Sequence, residues 1–174
     1  MDESLNGQLL IASPSMSDAL RRSVVLVIEH NDEGAFGLVL NQPSESTVDD
    51  VSPELAELIG GEHVIHVGGP VQPSAVTAVG EHSDPTEATK LIVSDVGMVD
   101  LDSPPDLVRV RVFAGYAGWG PGQLDGELEA EAWIVEPAHP DDPFADGDLW
   151  ARVLGRKGGE FGLLARMPPD PTMN

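Results

Sequence analysis

The sequence has no cysteine. That absence excludes disulfides, thiolate metal ligands, cysteine nucleophiles and iron–sulfur clusters, and it suits a reducing compartment. Basic residues are scarce too: 9 Lys plus Arg stand against 30 Asp plus Glu, a formal net charge of −21. Nucleic-acid binding draws most of its non-specific affinity from cations that neutralise phosphates, so this balance argues against direct contact with DNA or RNA. The few cations are scattered, as Arg21-Arg22, Arg109-x-Arg111 and Arg152 with Arg156-Lys157. The same field repels an anionic membrane surface. No apolar run approaches the roughly 20 residues of a membrane span, and no basic stretch leads into a long apolar core at the N-terminus. Together these absences predict a soluble, cytoplasmic protein that meets neither nucleic acid nor membrane.

What is present supports a folded core. The 174 residues are 41% hydrophobic, and a chain of that length buries roughly 70% of the surface its unfolded form exposes. Residues 1–174 read as one domain, with 167–174 as a loose tail. The acidic surface serves solubility before it serves adaptation to low water activity or the docking of a basic partner.

The apolar run at 7–13 predicts a first strand, and residues 17–22 a single helical turn. A hairpin follows: a β-branched run at 23–28, the turn Asn31-Asp32-Glu33-Gly34 and a return strand at 35–40 stopped by Asn41-Gln42-Pro43. Continuous apolar character predicts strands covered on both faces. A helix is expected over 47–59, with Ser52 as N-cap and Pro53 at its first position. Strands are expected at 64–67, 75–79, 91–94 and 107–113, with an exposed polar loop at 80–89 and a loop over 95–106 that a short strand precedes. Along 107–113 the arginines at 109 and 111 share one face and Val108, Val110 and Val112 the other. A short helix at 123–131, a strand at 133–137 and an amphipathic helix at 148–154 closed by Gly155 complete an α+β domain on a mixed, largely antiparallel sheet.

The stretch Gly115-Tyr116-Ala117-Gly118-Trp119-Gly120-Pro121-Gly122-Gln123-Leu124 packs four glycines, a proline and two aromatics into ten residues. It reads as a built corner between strand and helix, since glycine admits positive φ, proline fixes φ and rings can pin the turn. Tyr116, Trp119 and Gln123 are candidates to line a small-molecule pocket, with the amides of Gly118, Gly120 and Gly122 and the helix start favouring an anion. The architectural alternative is that the rings pack and Gln123 caps a backbone group. His66 with Gly68-Gly69-Pro70 is a second candidate feature, against a structural histidine. Glu29 and His30 point to opposite faces of a strand and make a poor metal pair, as do His63 and His66. Ser13, Ser23 and Ser94 lack a nucleophile context, and the Asp141-Asp142, Asp146, Asp148 run falls short of a calcium loop and reads as solvated. No catalytic residue, metal ligand or cofactor is assigned.

Four blocks carry a resemblance: GQLLIASPSM, SVVLVIEHNDEGAFGLVLNQP, HVGGPV and GYAGWGPGQLDGELEAEAWIV. Together they span most of residues 7–136, and in this order they resemble the AlgH/YqgE family of bacterial proteins. Residues 146–155 fit that family's closing helix, whereas 95–106 depart from it, since the family more often has a helix there. The resemblance implies a compact α/β domain with a strongly curved mixed sheet, and no established reaction or cofactor. Part of the family carries a label as regulators of alginate genes; at this charge, that implies an indirect route through a protein partner. The leading expectation is thus a binding or interaction protein presenting residues 115–124 and 66–70 to a protein or small ligand. The alternative is an enzyme or binder of a small anionic metabolite at 118–123. A homo-oligomer through an exposed strand edge stays open.

Overall fold

The computed structural model describes residues 5–14, 22–51, 53, 56, 57 and 64–166. In chain order the described elements are β1 (Gln8–Ala12), β2 (Val24–Asn31), β3 (Gly34–Val39), β4 (Pro43–Thr47), α1 (Val48–Val51), β5 (Val64–Val67), β6 (Val71–His82), β7 (Lys90–Val93), β8 (Val96–Met98), β9 (Leu107–Trp119), α2 (Gln123–Glu129), β10 (Trp133–Pro137), α3 (Leu149–Lys157) and α4 (Glu160–Leu164). All ten strands belong to one sheet, ordered β10-β1-β2-β3-β9-β6-β8-β7, with β5 added beside β9 and β4 beside β5. The β5–β9 pair is parallel and the other described pairs are antiparallel, so the sheet is mixed and the fold α+β.

The hairpin forms as expected. Asn31 Oδ1 accepts from the Glu33 N–H at 2.8 Å, which fixes the two-residue turn between β2 and β3. Val24, Leu26 and Ile28 enter one core cluster while Val25 and Val27 enter another, so β2 is covered on both faces.

The sheet curls strongly. Five strand steps separate β2 from β7, which in a flat sheet would hold them about 24 Å apart. Instead Lys90 Nζ on β7 lies 3.6 Å from Glu29 Oε1 on β2. A Cβ on Gly7, just before β1, would come 2.9 Å from the Ile92 carbonyl oxygen. Inside the curl sits the largest cluster, with Leu9, Ile11, Leu26, Leu38 and Phe113 covered by Leu149, Trp150, Val153 and Leu154 of α3. The Trp150 indole donates to the Ala12 carbonyl at 2.8 Å and anchors that helix. A second cluster lies under α2, and a third joins Val48 to β5, β6 and β9.

Several elements depart from expectation. Pro43 begins β4 rather than merely ending β3; a proline is tolerated at the first position of a strand. Helix α1 starts at Val48, where the Thr47 N–H donates to Asp50 Oδ2 at 3.1 Å and Thr47 Oγ1 accepts from the Asp50 N–H at 3.4 Å. Ser52, the expected cap, lies outside the described residues, as do residues 17–21 of the helical turn expected at 17–22, His63 and the tail from 167. Residues 80–82 continue β6, and His82 is buried. Gly155 lies inside α3, which runs on to Lys157 and stops at Gly158, whose φ of 79° takes the chain out of the helix. The short β8 is followed by a loop to 106, without a helix.

Candidate functional site

The expected corner at 115–124 is mostly strand. Strand β9 continues through Tyr116, Ala117, Gly118 and Trp119, and the chain turns only at Gly120, Pro121 and Gly122. Glycine supplies a bulge here. Gly115 takes a φ of +76°, and around it β9 changes neighbours: residues 112–114 pair with β5, and 117–119 with β3. The glycines at 68 and 69 complete the junction, since a Cβ on Gly68 would meet the Gly115 carbonyl oxygen at 2.4 Å and one on Gly69 the Tyr116 carbonyl carbon at 2.1 Å. The Gly68 N–H donates to the Ala114 carbonyl at 2.8 Å, and the Val39 N–H donates to the Gly68 carbonyl at 2.8 Å.

The bulge has a consequence for side chains. In a regular strand Phe113 and Tyr116 would point to opposite faces, yet both pack on the cluster inside the curl, because the bulge at Gly115 shifts the alternation by one. Tyr116 meets Phe36 edge to face, with ring centroids 6.0 Å apart.

Tyr116 and Gly118 thereby line a groove of about 630 Å³ between β3, β6, β8 and β9. Phe36, Leu38, Val71, Thr77, Met98 and Trp119 line it, and the exposed Glu29, Asn31 and Glu33 stand at its rim. Among the described residues no Lys or Arg lines it. Thr77 Oγ1 is out of solvent and has no hydrogen-bond partner among the described residues. The register of β6 against β9 shifts between Val71 and Val76, so Gln72 and Ala75 line the groove from an irregular stretch. Gln72 holds a φ of 45° there.

Beyond the groove the turn is tied into a knot. Glu127 Oε1 accepts from the Trp119 indole at 2.9 Å and the Trp133 indole at 2.8 Å, while Oε2 accepts from Gln123 Nε2 at 3.1 Å. Gln123 Oε1 in turn accepts from the Gly120 N–H at 3.0 Å. Gly122, at φ 73°, is the N-cap residue of α2. Both Gln123 and Trp119 therefore make architectural contacts, and of the two only Trp119 also lines the groove.

His66 opens elsewhere, on a cavity of about 290 Å³ shared with Asn41, Arg111 and Asp146. Burial, and then the Arg111 guanidinium, lower the His66 pKa below its ordinary value, against the opposing pull of the Val64 carbonyl and Asp146. The structure thus brings Gly68 and Gly69 against Gly115 and Tyr116 but gives His66 a separate setting. Glu29 and His30 also part: Glu29 pairs with Lys90, while His30 Nδ1 accepts from the Leu5 N–H at 3.2 Å and Nε2 lies 3.4 Å from Asp125.

The aspartate run, expected as a solvated loop, is exposed at Asp141 and Asp146 but buried at Asp142. Asp142 is buried and accepts from the Arg156 guanidinium at 3.0 and 2.8 Å and from the His139 N–H at 2.7 Å. Asp141 binds Arg109 at 2.7 Å, Asp146 binds Arg111 at 2.9 Å, and Asp148 caps α3 through the Ala151 N–H. Arg109 sits above its ordinary pKa: burial pulls it down, and the bonds from Asp141 and Glu81 more than offset that. The same contact holds the Asp141 carboxyl below the usual carboxylate range. Sequence reasoning missed Phe36, Val71, Thr77 and Met98 as groove residues, since strand pairing alone assembles them; the acidic hairpin end at Glu29 and Glu33 was the available signal.

No helix among the described residues is long and apolar enough to cross a membrane. The sequence pattern of the AlgH-like family matches residues 9–162. A UPF0301 protein of Streptomyces coelicolor is 40% identical over 188 aligned residues, covering 98% of this chain and 96% of that protein. A crystal structure of a Corynebacterium diphtheriae protein superposes with a TM-score of 0.85 at 32% identity, covering 93% of this chain and 92% of the other. The solution structure of the AlgH protein from Pseudomonas aeruginosa gives 0.72 at 27% identity, covering 97% and 98%. None of these names states a reaction or a ligand. A family pattern that spans most of the chain, with relatives and folds that match along nearly its whole length, shows that this chain belongs to the AlgH-like family.

Proposed function

We propose that this protein binds an extended segment of a protein partner in the groove between β3, β6, β8 and β9, and that the segment combines apolar and basic side chains. The observation that carries this reading is the open edge of β6. Along β6, strand β8 pairs only with Val79, Gly80 and Glu81, so Val76 and Thr77 have β9 on one side and no strand on the other among the described residues, and the irregular residues 72–75 before them have no strand partner there. An extended chain laid along that edge gains backbone hydrogen bonds while its side chains reach Phe36, Tyr116 and Met98. Glu33 favours a basic group at the rim, beside Glu29, whose carboxylate already pairs with Lys90.

A small anionic metabolite at 118–123 has less in its favour, since the Gly120 N–H is already taken by Gln123 and no cation among the described residues lines the groove. We place the protein in the cytoplasm, where a cysteine-free acidic chain is at home, and infer that any effect on transcription passes through the protein partner.

The test is a panel of extended peptides equal in apolar content but carrying Lys, Gln or Glu, read by fluorescence anisotropy. The Lys peptides are expected to bind, with affinity falling as salt rises and dropping about tenfold or more in Tyr116→Ala. Equal binding of the Glu peptides, or binding indifferent to Tyr116→Ala and Glu33→Gln, contradicts the reading.

A further inference from the structure

The cavity at His66 is built differently from the groove. Its walls come from β5, which supplies Val64 and His66, from β9, which supplies Arg111, and from residues 145–147, which cross over them. His66 lies beside Phe113 in the parallel β5–β9 register, with the rings 5.9 Å apart, so His66 and Arg111 occupy the same face of the sheet. Among only 9 Lys and Arg in a chain of net charge −21, Arg111 is held at a cavity wall with its side chain 14% exposed.

The bonds of that guanidinium are unequal. Nη1 donates to the carbonyls of Pro143 at 3.2 Å and Ala145 at 2.8 Å, which fix its position. Nη2 donates to Asp146 Oδ1 at 2.9 Å, and the Asp146 side chain is 87% exposed. An exposed carboxylate tied by one such contact is a weakly held partner, worth little against solvent. The carboxylate of Asp146 thus occupies the place that a carboxylate from outside would take. The imidazole beside it is 6% exposed; the Val64 backbone lies near enough to act on the ring, yet no partner among the described residues meets its Nδ1 with full hydrogen-bond geometry. A buried polar atom without a well-formed partner is costly, and a ligand offsets that cost only by reaching Nδ1 itself.

We propose that this cavity is a binding site for a small carboxylate, which displaces Asp146 from Arg111 and hydrogen-bonds the His66 imidazole. Its volume, about 290 Å³, suits a molecule of a few heavy atoms at the low end of ligand sites. With Nη1 held by the two carbonyls, Nη2 is the arm that meets a carboxylate, and Asp146 already uses it. Asp146 then acts as an internal competitor that sets the threshold for occupancy. This site is separate from the groove, and no residue lines both.

The test titrates propionate and inorganic phosphate into the full chain, reading the His66 ring resonances by NMR. Asp146→Asn removes the competitor while leaving a side chain of the same size, and is expected to tighten propionate binding about two- to fivefold. Glu160→Gln changes the net charge by the same amount at an exposed position and is expected to leave binding unchanged. Arg111→Gln is expected to abolish the response; since Arg111 also clasps residues 143–145, the Asp146→Asn arm decides the matter independently of any folding defect. Propionate binding equally tight in the parent and Asp146→Asn overturns the proposal. So does equal tightening in Glu160→Gln, a response that bypasses His66, or phosphate binding tighter than propionate.

Discussion

Gly69 and Tyr116 meet backbone to backbone: Gly69 holds a φ of +153°, and a Cβ there would lie 2.1 Å from the Tyr116 carbonyl carbon. This contact and the adjoining approach of Gly68 to Gly115 pin the junction where β3, β5 and β9 share strand edges. The groove depends on it, because the bulge at Gly115 is what turns Tyr116 to the same side as Phe113.

Alanine at Gly69 or Gly115 is therefore expected to destabilise the fold by about 3 kcal/mol or more, since backbone atoms and not flexible side chains occupy the space. Gly126→Ala, in α2 with no atom within 4 Å of the new Cβ, is expected to stabilise by about 0.5–1 kcal/mol. Urea denaturation of the three variants checks the contrast.

Glu127 joins two indoles and a carboxamide. Glu127→Ala strands the Trp119 and Trp133 N–H groups and is expected to cost about 2–4 kcal/mol, whereas Glu127→Gln, which keeps one acceptor oxygen, costs about 1 kcal/mol. Chemical denaturation gives both numbers, and a red shift in tryptophan emission should accompany the alanine variant alone.

Arg156→Met leaves the buried Asp142 carboxylate without its bidentate partner. The expected loss is about 2–3 kcal/mol, reduced from the full cost of breaking a buried pair because the Arg156 side chain is 32% exposed. Asp142→Asn in the Arg156→Met background should recover part of the loss, as read by the midpoint of thermal unfolding.

His66 carries a pH dependence with a definite sign. Its folded pKa lies below its unfolded value, first through burial and then through Arg111. The unfolded chain therefore binds the proton first. Stability from this group is full above about pH 6.5 and is lost as pH falls through and below that value toward the folded pKa. His66→Gln should flatten the stability profile in that window; an unchanged slope there would contradict the assignment.

What could be read from the chain follows from how local each signal is. The β2–β3 hairpin was legible because its β-branched runs and its Asn31 turn are contiguous, and Trp133 to Pro137 likewise. Residues 115–119 were not, because glycine advertises conformational freedom without saying which neighbour requires it; here Gly69 and Gly115 are small because another backbone fills the space. Polar β4 hides in Pro43, Ser44, Glu45, Ser46 and Thr47, a stretch without apolar alternation. At the candidate site Tyr116, Gly118 and Trp119 stand close together in the chain and could be named from it, whereas Phe36, Val71, Thr77 and Met98, which line the same groove, come from three other strands. Arg111 was assigned a face, and only the parallel β5–β9 pairing set His66 on the same one.

The most direct measurement is amide chemical-shift mapping of the full chain with an apolar peptide bearing lysine. Partner binding in the groove predicts that the largest shifts gather at Phe36, Val71, Thr77, Tyr116 and Gly118, with slowed exchange of amides along residues 71–77. Shifts that gather instead around His66 and Arg111, or on the outer face of α3, would contradict it.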